Sequence, residues 1–207
     1  MANQIPTARR QRRKDARPQE IVEAAFEAFC ENGFAATRLD EVARRAGIAK
    51  GTIYLYFDNK QALFQAVIEE KVTATLSEAT ELLEGFDGAT DILLQMILTK
   101  AYTEMVQSPK KQLLRIIIGE GHRFPELRKL YYDTAMRSGL ELLDRVVERG
   151  IARGEFRKGP AAEYPRLIMA PGILASIWLM TFSDVEELDI DRYFAAHMDL
   201  ILNGLRV

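Results

Sequence analysis

The chain has 207 residues, 48% apolar and 28% charged, a balance that fits a globular protein and excludes a disordered chain or a membrane-embedded one. Its one cysteine, Cys30, excludes an intrachain disulfide, and the basic N-terminus has no apolar stretch behind it, which argues against a secretory signal. The net charge of −2 conceals an asymmetry: residues 1–64 hold 11 Lys/Arg against 8 Asp/Glu, and the remainder 17 against 22. The basic excess lies at the front, and the local field there bears on a polyanionic partner more than the total does.

Residues 1–17 carry Arg9, Arg10, Arg12, Arg13, Lys14 and Arg17, with Asp15 the only acid. Such a segment cannot bury enough surface to fold alone and reads as a flexible basic arm, suited to following phosphates or entering a minor groove. Pro18–Asn32 reads as the first helix. Pro18 suits a first turn, Ile21, Val22, Ala25, Phe26 and Phe29 form an apolar stripe, and Gly33 stops it. Cys30, among Phe26, Phe29 and Phe34, reads as core. Thr37 reads as the N-cap of a second helix, Leu39–Ala46, with Leu39, Val42, Ala43 and Ala46 on one face. Gly47 turns the chain, and Ala49 or Lys50 opens a third helix with Ile53, Tyr56 and Phe57 on its inner side. After a turn at Asp58-Asn59, a fourth helix runs from about Lys60 to Leu82 or Leu83, before Gly85 and Gly88.

The remainder has helical periodicity and no strand alternation. Helices are expected over Ala89–Gln107, Pro109–Glu120, from Pro125 to Gly150 or Gly154, Ala161–Phe182 with Pro165 and Pro171 as kinks or restarts, and Asp189–Asn203, closed by Gly204. Leu167–Phe182, the most apolar run, is too short and too interrupted to span a membrane.

Ala43, Gly47 four residues on and Ile53 six after that have the spacing of a helix-turn-helix. The small residue lets two helices cross closely, the glycine turns, and the isoleucine plugs the corner. Such a unit lays its second helix in the DNA major groove. Around this corner the run G-I-A-K-G-T-I-Y-L-Y-F-D-N-K-Q-A-L resembles the DNA-binding signature of the tetracycline-repressor (TetR/AcrR) family of bacterial transcription regulators. The resemblance covers Pro18 to Phe64, including Glu31-Asn32-Gly33-Phe34, Thr37 and the Tyr54-x-Tyr56-Phe57-x-x-Lys60 ending.

The resemblance implies an all-α chain. Residues 1–17 would be the arm, 18–64 a three-helix helix-turn-helix domain, and 65–207 a helical bundle that binds an effector and dimerises. It implies that Thr37, Lys50, Thr52, Tyr54, Tyr56 and Lys60 touch phosphates or bases. From the residues themselves, Arg38 joins them as a cation, Gly51 lets the backbone approach the groove, and Lys60 at a helix start favours an anion. Leu55 stands where many relatives are polar and offers at most a thymine-methyl contact. Arg44 and Arg45 are further cations, Arg45 reading as solvated helix surface.

One short helix reads few base pairs, so useful affinity requires a homodimer on a pseudo-palindromic operator. The last two helices are the candidates for the seam, through Ile168, Ile173, Leu174, Ile177, Trp178, Met180, Phe194, Met198 and Ile201, which read alternatively as monomer core. The resemblance further implies a small-molecule effector, and Met96, Tyr102, Met105, Ile117, His122, Tyr131, Met136 and Trp178 are the aromatic and flexible residues a cavity would use. No nucleophile elbow, phosphate loop or metal-spaced cluster is present, so no enzyme activity, cofactor or metal is expected. The function expected is a cytoplasmic, ligand-responsive regulator, a repressor by preference; a constitutive architectural DNA binder without an effector is the alternative.

Overall fold

A computed structural model describes residues 17–207 as helices joined by short turns. Among those residues the only β pairing is an isolated antiparallel bridge between Phe156 and Arg206. The expected arm lies outside the described residues except for Arg17. The chain divides into two compact units, with the boundary between Glu70 and Lys71.

In the first unit, α1 (Arg17–Ala36) buries Ile21, Val22, Ala25, Phe26 and Phe29 along the expected stripe. Gly33 adopts φ 76° and ψ 178°, so the helical path breaks there and resumes for one short stretch. Two shorter helices follow, α2 (Leu39–Arg45) and α3 (Lys50–Ile53). Between them Gly47 takes φ 64°, a left-handed conformation that a Cβ would strain. The Ile48 N–H then closes onto the Ala43 carbonyl at 2.9 Å. Ile53 is fully buried and plugs the corner as expected. The helical part of α3 is a single turn. Beyond it, the Tyr56 and Phe57 N–H groups both return to the Ile53 carbonyl.

Phe29, Phe34 and Phe64 form the aromatic centre of this unit, with ring centroids 5.0–5.8 Å apart. Arg45 ties α1 to α2. Its guanidinium donates to Glu31 at 2.9 Å and to Glu41 at 2.6 and 3.1 Å, with Glu27 at 3.8 Å. The expectation of a solvated Arg45 is therefore corrected: three carboxylates from two helices converge on it, which periodicity within one helix cannot reveal.

α4 (Lys60–Gly85) starts in the first unit and ends in the second. The second unit continues with α5 (Thr90–Ala101), α6 (Lys111–Glu120), α7 (Pro125–Tyr131), α8 (Arg137–Ala152), the single turn α9 (Pro160–Glu163), α10 (Arg166–Thr181) and α11 (Ile190–Leu205). Its core gathers Leu93, Leu94 and Ile97 from α5, Leu143, Val146 and Val147 from α8, Ile168 from α10 and Met198 from α11. One expected helix closes in a π-helical turn and another is interrupted by one. π-helical turns occupy Tyr102–Val106 after α5 and Tyr132–Met136 between α7 and α8. Pro165 sits just before α10 and restarts the helix, while Pro171 is accommodated inside it.

Local chemistry sets several ends. Asp189 caps α11 by accepting from the Arg192 N–H at 3.0 Å. The Glu155 carboxylate, from the turn after α8, accepts from the Thr90 N–H at 2.7 Å at the start of α5. Gly150 lies inside α8 rather than ending it. A Cβ there would stand 2.3 Å from the Phe156 ring, so the glycine is where that ring closes against the helix.

Candidate functional site

The exposed surface of the corner is an open hollow whose lining includes Thr37, Arg38, Asp40, Lys50, Tyr54 and Lys60. Arg38, Lys50, Gly51 and Tyr54 are exposed, and Thr52 and Tyr56 are half-buried. Around Gly51 a Cβ would meet nothing within 4 Å, so the protein itself leaves that space open. Lys50 is held by Asp40 at 3.0 Å, and this hydrogen bond raises the lysine's pKa. The cation is therefore fully charged at the mouth of the hollow, and its partner among the described residues is an exposed carboxylate that a phosphate can replace. Leu55, 78% exposed, presents an apolar surface in the same turn.

Two expected contacts are corrected. Thr37 is buried, and its hydroxyl donates inward to the carbonyls of Gly33 at 2.6 Å and Ala28 at 3.1 Å. It neither caps α2, whose N-cap position is Arg38, nor offers its hydroxyl outward. Lys60 also turns inward. Its ammonium donates to the carbonyls of Phe34, Ala35 and Thr37 at 2.7, 3.0 and 3.0 Å, and lies 4.6 Å from the centre of the Phe34 ring. An ammonium has three donors, so this one is spent on the carbonyls that end α1. Sequence position placed it at a helix start, where an anion would be favoured; the fold aims it at a helix end.

The second unit contains a cavity of about 180 Å³. Its wall is apolar for the most part, drawn from α4, α5, α6, α7, α8, α10 and α11 and from both π-helical turns. Of the eight residues expected there, Tyr102, Met105, Tyr131 and Met136 line it. The other four lie elsewhere. Met96 is on the outer face of α5, one residue before the buried Ile97. Ile117 is half-buried away from the wall, while Leu114 from the same helix lines it. His122 is exposed in the turn before α7. Trp178 donates its indole N–H to the Glu186 carbonyl at 3.0 Å and packs on Phe182, which fixes it to the turn after α10.

Sequence reasoning missed His197 and three lysines. His197, 4% exposed on α11, lies 2.9 Å through Nδ1 from the Tyr102 hydroxyl. Burial lowers its pKa, opposed by the Ile168 carbonyl, so the ring is neutral and Tyr102 is the donor. Burial also pushes the Tyr102 hydroxyl well above its ordinary value. Lys100 pairs with Glu78, and Lys110 with Glu104 at 2.7 Å, which holds that carboxyl below its ordinary value. Lys111 completes the set. A lysine every few residues on helix surfaces carries no sequence signal of its own, but the apolar His197 neighbourhood in α11 did mark that face as buried.

A model of bacterial regulatory proteins of the tetR family matches residues 21–67, and a tetracyclin repressor-like C-terminal domain matches residues 93–196. The chain belongs to the TetR family of transcriptional regulators. This is a non-enzymatic class whose members bind DNA through the helix-turn-helix. Among relatives, the fatty acid metabolism regulator protein of Bacillus subtilis is 23% identical over 93% of this chain and 98% of its own length. Among solved structures, B. subtilis FadR in complex with stearoyl-CoA superposes with a TM-score of 0.74 at 24% identity, covering 90% of this chain and 98% of that one. SmeT, the repressor of the Stenotrophomonas maltophilia multidrug efflux pump SmeDEF, superposes at 0.71 with 22% identity, over 92% and 90%. At these identities the superpositions establish a shared fold.

Within this TetR-family fold the helices expected to form a dimer seam divide into two sets. Ile168 and Met198 are buried in the core of their own unit, with Phe194 and Ile201 packed against it. Leu174 is 53% exposed and Leu200, not singled out from sequence, is 68% exposed. Leu167 and Phe182 extend the apolar surface of α10. No helix among the described residues is long and apolar enough to cross a membrane.

Proposed function

We propose that this chain is a repressor that binds a pseudo-palindromic operator as a homodimer and releases it when a small molecule occupies the cavity. Residues 18–64 serve as the DNA-binding domain and 65–207 as the effector-binding and dimerisation domain, acting in the cytoplasm where the chromosome lies. The observation that carries the DNA side is the open, cationic corner: Lys50, Gly51 and Tyr54 stand exposed beyond a turn that Gly47 and Ile53 fix. Arg38, Lys50, Thr52, Tyr54 and Tyr56 are the side chains assigned to phosphates and base edges, with Gly51 admitting the duplex. Thr37 and Lys60 are assigned to the frame that holds them, through the bonds they make inward. The arm, residues 1–17, is assigned to phosphates on its charge alone.

The dimer seam is assigned to α10 and α11, where Leu167, Leu174 and Leu200 leave an apolar surface uncovered. The effector side is supported by the cavity, and by a fold shared with FadR, whose structure holds stearoyl-CoA. A constitutive architectural DNA binder would have no use for such a space. Coupling is assigned to α4, which carries Phe64 in the core of one unit and Val72, Thr75, Leu76 and Ala79 in the cavity wall of the other. The effector must bind better to the conformation whose two reading corners do not match the operator spacing.

Selection of bound duplexes from a random pool tests the reading. The expected result is an inverted repeat with half-sites about one helical turn apart, or a multiple of it. Recovery of sequences without symmetry, or binding that does not discriminate between duplexes at physiological salt, rejects it.

A further inference from the structure

We propose that the cavity takes a small organic anion: an apolar body of about six to eight carbons ending in a carboxylate, with the head group held by Lys111 and Tyr131. This rests on the reading of the chain as a ligand-responsive regulator and names the class of ligand. Size is the first argument. An engineered apolar cavity of about 150 Å³ takes up benzene. The 180 Å³ here therefore holds a ring or chain of that order plus a head group. It falls below the roughly 300–1,000 Å³ usual for drug-sized ligands.

The polar groups of the wall supply the second argument. Lys100 and Lys110 are each neutralised by a glutamate, and Tyr102 is satisfied by His197. Three donors are left over, one of them the His197 Nε2–H, which is buried at the cavity wall and meets no acceptor within hydrogen-bond range among the described residues. Among the described residues the Lys111 ammonium meets the carbonyls of Gln107 and Ser108, at 3.4 and 3.5 Å, the far edge of hydrogen-bond range. Among the described residues it has no carboxylate partner. Tyr131 is 7% exposed, lines the cavity, and among the described residues its hydroxyl has no hydrogen-bond partner. Burial pushes that hydroxyl up to about 12, so it stays protonated and can only gain by donating. A positive charge and neutral donors in a mostly apolar wall are complemented by a group that only accepts and carries a negative charge, and a carboxylate is the simplest such group.

Titration calorimetry on the full-length protein tests this with octanoate and benzoate, their neutral amides octanamide and benzamide, and palmitoyl-CoA. At least one carboxylate is expected to bind tenfold or more tightly than its own amide. Benzoate above octanoate assigns a ring, and the reverse a chain. Lys111→Met is expected to shrink the carboxylate-to-amide ratio below threefold while leaving amide binding and the melting temperature in place, and Lys111→Arg to restore it. Tyr131→Phe, which keeps the ring, is expected to weaken the carboxylate three- to tenfold. Amides binding as tightly as carboxylates, a preference that survives Lys111→Met, neither carboxylate binding, or palmitoyl-CoA binding more tightly than both would overturn the assignment. An operator-release assay separates the two readings. Release by palmitoyl-CoA or octanamide alone keeps the regulator and discards the anion; octanoate or benzoate binding as expected without changing operator affinity keeps the anion and discards the regulator.

Discussion

The two units handle their buried polar groups in opposite ways. In the first, nearly every such group is tied down. Thr37 closes onto the carbonyls of α1, Lys60 spends its three donors on the end of the same helix, and Arg45 gathers Glu27, Glu31 and Glu41. In the second, a cavity persists, Tyr131 has no hydrogen-bond partner among the described residues, and two π-helical turns border the space. A surface that must match a fixed partner gains from rigidity, because every group ordered beforehand need not be ordered on binding. A site that must respond has to keep some interactions unmade until the ligand arrives.

Removing the aromatic centre should break this contrast most severely. Phe64→Ala leaves a void between Phe29 and Phe34 and is expected to destabilise by about 3–5 kcal/mol. Hydrogen exchange should show protection lost in α1 and α2 well before α8. Lys60→Met comes next, at about 2–3 kcal/mol, because three carbonyls and a ring face lose a charged partner. If Lys60 serves the frame, operator affinity measured at temperatures where the variant is folded should keep its salt dependence. In the second unit Gly150→Ala forces the Phe156 ring from α8 and is expected to cost about 1–3 kcal/mol by urea unfolding.

Smaller effects sharpen the comparison. The Thr90 and Arg153 hydrogen bonds hold the Glu155 carboxyl down to about 2, against an ordinary 4.5. A depressed folded-state pKa means its stabilisation is complete above the ordinary value and disappears as pH falls from there towards 2. Glu155→Gln should therefore flatten that part of the acid-unfolding profile and leave the neutral part lower. Lys50→Ala should leave the melting temperature unmoved, since its pair with Asp40 is exposed. It should lower the slope of log affinity against log salt by about one per protomer.

The corner was legible because its demands are local. Gly47 must take a left-handed turn, Ile53 must fill it, and both requirements can be read from three residues and their spacing. The inward turn of Thr37 and Lys60 was not legible, because each finds partners 4–26 residues away that only the folded chain brings near. Half of the expected cavity residues reach it, since a hydrophobic period places a residue on a helix but does not say which of two buried faces looks into the space. Met96 and Ile97 differ by one position, about 100° around the helix, and the first is exposed where the second is buried. The π-helical turns left no mark either, because an extra residue changes the period for a single turn only, in stretches already rich in apolar side chains.

The turn at Tyr132–Met136, which runs unbroken from α7 into α8, has a consequence for how the chain tolerates change in length. A π-helical turn is an α-helix with one residue inserted, so it stores the insertion locally and spares the flanking segments. Deleting Asp133 would restore an ordinary helical path from α7 into α8 and keep the faces on either side in register, whereas a deletion in the middle of α8 would swing everything downstream by about 100°. Natural variation in chain length among such sequences should therefore collect at this point, and an engineer wishing to resize the space beside it has a ready place to remove a residue.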